Sequence, residues 1–170
     1  MKLPALRDAD VHTRLATYLN DHLGGAAGGV ELIRRLCREN QGTEYGPPLK
    51  VVARQVEEDV QSLRDVMARF GVEEDRIKQT AAYAAEKVGR LKLNGQLLGY
   101  SPLSRLVELE GMTLGVTGKQ AMWVVLNENY GQDPRLEGVD LPQLIARAKE
   151  QRVTLERLRR QAATEAIAGA

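Results

Sequence analysis

Cysteine, aromatic residues, histidine and long apolar runs are all scarce in this chain, and each scarcity removes a class of protein. A single cysteine, Cys37, in 170 residues leaves no internal disulfide and suits a reducing compartment. Lys and Arg number 24 against 23 Asp and Glu, so no global field draws in nucleic acid or an anionic membrane. No apolar run approaches the ~20 residues of a membrane span, and "MKLPALRDAD" has no signal-peptide core. These absences describe a cytoplasmic protein with neither a nucleic-acid nor a membrane partner. Aromatics make up 4 % of the chain, with one Trp and one Phe. Such a core is built from Leu, Val and Ala, which favours helix packed on helix over a β-sandwich.

What is present is helical spacing almost throughout, without a convincing alternating strand. A first helix is expected over 8–40, with Asp8 or Asp10 at its start and Val11, Leu15, Leu19, Ala26, Val30, Ile33 and Cys37 on its apolar line. "QGTEYGPP" breaks it, and Pro47 and Pro48 suit the first turn of a second helix over 47–70. "FGV" closes that helix, with Gly71 placed to take the left-handed conformation and Val72 as the apolar residue after it. A third, Ala-rich helix is expected over 73–91, followed by a connection containing Asn94-Gly95. Ser101-Pro102 caps and starts a long helix over 102–129, and Asp140 caps a last one over 140–166, with "AIAGA" frayed beyond. The whole chain, 1–170, reads as one domain, an all-α bundle of four long helices and a shorter one. At about 1.5 Å per residue, the helix between Gly71 and Ser101 travels most of a bundle's length. That lets the second and third long helices run parallel, the one-crossover arrangement.

The long first helix, the "GPP" start, the "FGV" turn and the crossover helix together resemble the ferritin-like superfamily. The pattern is similar to that of small bacterial bundles of that superfamily, and it covers nearly the whole chain. The resemblance implies a ferritin-like four-helix bundle with a long crossover connection; it implies no activity.

Four glycines, Gly24, Gly25, Gly28 and Gly29, interrupt the first helix in "LNDHLGGAAGGVELIRRLC". A phosphate-binding loop requires a strand before them and a Lys-Ser/Thr or comparable group after them, and neither is present. The apolar line passes through the segment in phase, so a continuous helix is expected. The i,i+4 pairs Gly24/Gly28 and Gly25/Gly29 each make one face small. Gly111 and Gly115 make a matching small face on the fourth helix. Close packing of these faces, or room between them for a bulky group, is the expected use.

Continuing the core stripes brings polar residues to apolar positions: His22, Asp59, Glu110, and Gln151 or Arg152. Buried carboxylates and imidazoles are costly unless paired or bound to metal. One reading is a metal site of His22, Asp59 and Glu110, holding Fe, Mn or Zn. The two Glu-x-x-His motifs of di-iron bundles are absent, and the chain has two histidines, with His12 near an end. The other reading, which the pattern favours, is an ion-pair layer in which Arg152 or Arg14 neutralises the acids, with no cofactor. Ser101, Ser104 and Cys37 have no histidine partner placed by the pattern, so nucleophilic catalysis has no support. Arg90, Lys92 and Arg105 read as a solvated connection, and Trp123, Met112 and Met122 as core. The expected function is therefore a non-enzymatic binding or interaction protein, acting on a protein partner or on itself as a homodimer. Metal binding is the alternative.

Overall fold

A computed structural model describes residues 4–75 and 100–168, with side-chain surroundings from residue 9 onward. Its regular structure, among the described residues, is entirely helical. Helix α1 spans Pro4–Glu39, α2 Gly46–Arg69, α3 Pro102–Tyr130 and α4 Leu141–Ala163. A 3-10 turn, Pro134–Leu136, leads into α4, and a π-helical turn, Thr164–Ala168, ends it. With 36 residues, α1 is about 54 Å long, and it runs through all four glycines unbroken. Its described part starts at Pro4, ahead of the expected Asp8, and a proline is tolerated in a first helical turn.

Local chemistry sets the other boundaries. Ser101 accepts a hydrogen bond from the Ser104 N–H at 3.1 Å, with Pro102 opening α3. Asp140 caps α4 by accepting from the Gln143 N–H at 2.9 Å. Gly71 has φ +68°, and the Val72 N–H reaches back to the Met67 carbonyl at 2.9 Å, so the left-handed glycine stops α2 as expected. The segment beyond is tied down by Asn20, which donates to the Glu73 carbonyl at 3.0 Å and accepts from the Asp75 N–H at 2.7 Å. Residues 73–75 are not helical, and the remainder of the helix expected over 73–91 lies outside the described residues. So do Arg90, Lys92 and the Asn94-Gly95 turn.

Cross-helix contacts give the directions. Arg34 meets Glu57 while His12 meets the Phe70 carbonyl, so α1 and α2 are antiparallel. Arg105 meets Glu165 while Arg152 meets Gln120, so α3 and α4 are antiparallel. Asn40 with Arg105 and Leu32 with Gly111 make α1 antiparallel to α3. Tyr45 with Glu165 and Arg69 with the Glu137 carbonyl make α2 antiparallel to α4. It follows that α2 and α3 point the same way across the bundle's diagonal.

The apolar interior is split in two. One cluster includes Ile33, Leu36, Leu49, Val52, Leu109, Leu155 and Leu158. The other includes Leu19, Leu23, Leu63, Met67, Trp123, Leu126 and Leu141. Between them lie the glycine segment of α1 and the polar stretches around Asp59, Lys119 and Arg147.

Candidate functional site

At this break in the core Asp59 is 2 % exposed and receives three donors. Lys119 of α3 and Arg147 of α4 each form an ion pair with it, one on each carboxylate oxygen. Gln151 Nε2 donates to Oδ2 at 3.0 Å, and Lys119 Nζ also donates to Gln151 Oε1 at 2.6 Å. Arg147 turns a second nitrogen toward half-exposed Glu58 at 3.1 Å. The buried carboxylate is therefore fully compensated, as an ion in a low-dielectric interior must be. Burial pushes the Lys119 ammonium below the usual lysine value, and Asp59 opposes the shift.

The cations that neutralise the layer are not those expected from sequence. Arg14 pairs with Asp10 at 3.3 Å and Arg152 with Gln120 at 2.9 Å, both on the surface. Lys119 carried a legible signal, since it lies between Val116 and Trp123 on the same stripe as Met112 and Leu126. Its long stem follows the apolar wall while its ammonium reaches the polar layer.

Of the three proposed metal ligands, His22 and Asp59 share one cavity, whereas Glu110 stands outside it, exposed and 3.7 Å from Arg159. The carboxylate that α3 buries is Glu108, 7 % exposed, with Arg35 Nε at 2.8 Å and the Tyr100 hydroxyl at 3.3 Å. His22 is half-buried, edge-on to the Tyr18 ring with centroids 4.7 Å apart. Burial holds it below its ordinary 6.5, with Asp21 partly opposing. Among the described residues no three His, Cys, Asp or Glu side chains converge to hold a metal. Both Asp59 oxygens are already engaged by cations, so these residues do not fit a carboxylate-bridged metal centre.

The cavity itself has a volume of about 260 Å³. His22, Gly25, Ala26 and Gly29 of α1 form one wall, and Met112, Gly115, Lys119 and Trp123 of α3 another. Val56, Asp59, Val60 and Leu63 of α2, diagonal to α3, form the floor. The lining is chiefly apolar, with Asp59 and Lys119 at one end and the exposed Asp21 beside His22 also on it. Glycine keeps it open: a Cβ added to Gly25, Gly29, Gly115 or Gly118 would meet nothing within 4 Å. At Gly111 the small face makes room for a bulky group, the Leu32 side chain, which would lie 3.4 Å from an added Cβ; the expected close packing of glycine face on glycine face does not occur at Gly25, Gly29 or Gly115. Gly24 and Gly28 are buried, whereas Gly25 and Gly115 are exposed at the cavity mouth. Trp123 is 0 % exposed, and its indole N–H has no hydrogen-bond partner.

A second polar cluster closes the other end of the bundle. The Tyr45 hydroxyl donates to Glu165 at 2.6 Å, and Arg105 bonds Glu165 at 2.5 Å and Asn40 at 2.6 Å. Arg105 also lies over the Tyr45 ring, 4.4 Å from its centroid. Every member is engaged, so this cluster clamps the π-helical turn to α2 and α3. Cys37 is half-buried, and burial raises its thiol above the usual value, which suits a packing role over a nucleophilic one.

No protein-family model, curated protein or solved structure matches the chain. No described helix is long and apolar enough to cross a membrane.

Proposed function

We propose that the protein is a non-enzymatic, cytoplasmic binding protein built on a ferritin-like bundle, and that the glycine-lined cavity is its binding site. The observation that carries this reading is the open space at Gly25, Gly29, Gly115 and Gly118. A glycine inside a helix costs roughly 1 kcal/mol against alanine. Close packing would offset that cost, but at these four positions nothing is packed. A chain that keeps glycine there gains room for a guest. The parallel α2 and α3, joined through residues 70–101, support the ferritin-like topology with its single crossover.

Self-association has its own support. Leu103, Val107, Leu114 and Val125 are 54, 38, 73 and 41 % exposed. At ~100° per residue they share one narrow face of α3, beside the cavity mouth. A homodimer would cover this line, and Leu114→Glu would then convert a dimer to a monomer by light scattering. A monomeric wild type at working concentration refutes this part.

The binding reading is tested by titrating apolar probes into the protein and reading the fluorescence of Trp123, the single tryptophan. Gly25→Leu and Gly115→Leu, which fill the mouth, are expected to abolish uptake and keep the fold. The metal alternative is tested by thermal melts with EDTA, Mn²⁺, Fe²⁺ and Zn²⁺. A stabilisation by one of these ions that His22→Ala removes would put metal binding first.

A further inference from the structure

We infer that the cavity takes a small amphiphile, largely apolar, whose single carboxylate is held at Lys119; this rests on the cavity being the binding site. Size comes first. A dry cavity of ~150 Å³ admits a benzene ring, so 260 Å³ accommodates a two-ring aromatic or a medium-length acyl chain. The walls suit such a guest, since Val60, Leu63, Met112 and Met122 present only hydrocarbon and thioether.

The head group follows from counting donors and acceptors. An ammonium has three N–H donors, and Lys119 gives two, to Asp59 and Gln151. Trp123 lines the same cavity with a buried indole N–H that has no partner, an uncommon and costly state. The Arg147 Nε, in the adjoining layer, is likewise buried without a partner. Both Asp59 oxygens are occupied. Lys119 thus has a third N–H to give at this end of the cavity, and Trp123 brings another unspent donor to the lining. Charge bears on the same end: Lys119 and Arg147 face one buried carboxylate, while Glu58, the further partner of Arg147, is 50 % exposed and Asp21 is an exposed lining residue. An anionic head beside Lys119 takes its third N–H, whereas a cationic head there would meet the ammonium directly.

The test compares decanoate, decanol and decyltrimethylammonium, each below its micellar concentration, on the full chain by Trp123 fluorescence and calorimetry. Decanoate is expected to bind at least tenfold tighter than decanol, with the ammonium compound weakest. Lys119→Met should bring decanoate down to the level of decanol and leave decanol unchanged. Should Lys119→Met fail to fold, the pair Asp59→Asn/Lys119→Met, which removes the buried anion with its partner, carries the same comparison. Gly115→Leu should abolish decanoate uptake; uptake that survives it lies elsewhere and overturns the inference. Equal affinity for decanoate and decanol overturns the carboxylate assignment and leaves the cavity as a binding site. Absence of uptake for all three probes overturns both.

Discussion

Tyr45 and Glu165 stand 120 positions apart in the chain and 2.6 Å apart in space, joined hydroxyl to carboxylate. Burial, and then Glu165 itself, pushes the Tyr45 hydroxyl above the ordinary tyrosine value, so it remains a donor at any working pH. Arg105 secures the other oxygen of Glu165 and stacks on the Tyr45 ring. The π-helical turn Thr164–Ala168 is thereby fixed to the start of α2.

Tyr45→Phe keeps the ring, its packing and the guanidinium above it, and removes only the hydroxyl. A hydrogen bond to a charged group contributes about 1.5–3 kcal/mol. The variant should lose an amount in that range by urea denaturation, with an unchanged slope. An equal midpoint for the variant and wild type would show that Glu165 re-pairs without cost.

The buried layer makes a sharper contrast. Removing one partner of a buried ion pair costs about 3–5 kcal/mol, whereas replacing the pair by apolar residues is often neutral or stabilising. Lys119→Met leaves Asp59 with Arg147 and Gln151, so its loss should fall toward the lower end of that range. Asp59→Leu/Lys119→Met should recover most of it, because Arg147 retains Glu58. A double variant as unstable as the sum of its parts would mean that the layer is held by more than this pair.

Several of these features were legible in the sequence. Ser101-Pro102, Asp140 and Gly71 act as their side chains dictate, because capping and left-handed turns depend on one or two residues. Asp59 and Gln151 were found because each breaks an otherwise apolar stripe. Spacing puts Glu110 on the buried face where the structure has Glu108, since on a helix with apolar residues on several sides two neighbouring carboxylates cannot be ordered by spacing alone. Lys119 and Arg147 escape such a pattern, because long cationic side chains ordinarily read as solvated. The cavity leaves an ambiguous signature: paired glycines look the same whether a neighbour closes on them or leaves room between them.

His22 should give the fold a pH dependence near neutrality. Burial lowers its folded value below 6.5, so the unfolded chain takes up the proton first. Stability is therefore full above about pH 6.5 and declines as pH falls through the window beneath it. Asp133 and Glu156, held near 2 by Arg135 and by Arg159 with Arg160, lose their contribution only in stronger acid. Denaturation midpoints at pH 7.5 and 5.5 should fall for wild type and fall less for His22→Gln. Identical declines would place the responsible proton on another group.

The glycines set stability against binding in one measurement. Gly25 and Gly29 are helical, and an added methyl group at either would meet nothing within 4 Å. Alanine there gains helix propensity without overpacking, so Gly25→Ala/Gly29→Ala should be more stable by about 1 kcal/mol per site. Gly111→Ala is the control: its new methyl presses on Leu32 at 3.4 Å, and the gain should be smaller. The two added methyl groups also enter the cavity wall, so the stabilised variant should take up an apolar probe more weakly than wild type. That pairing of higher stability with weaker uptake is the signature of a site kept open at a cost to the fold. A variant that gains stability and binds as well as wild type would show that the guest, if there is one, does not use this wall. A variant that loses stability would show that the two helices approach one another here after all.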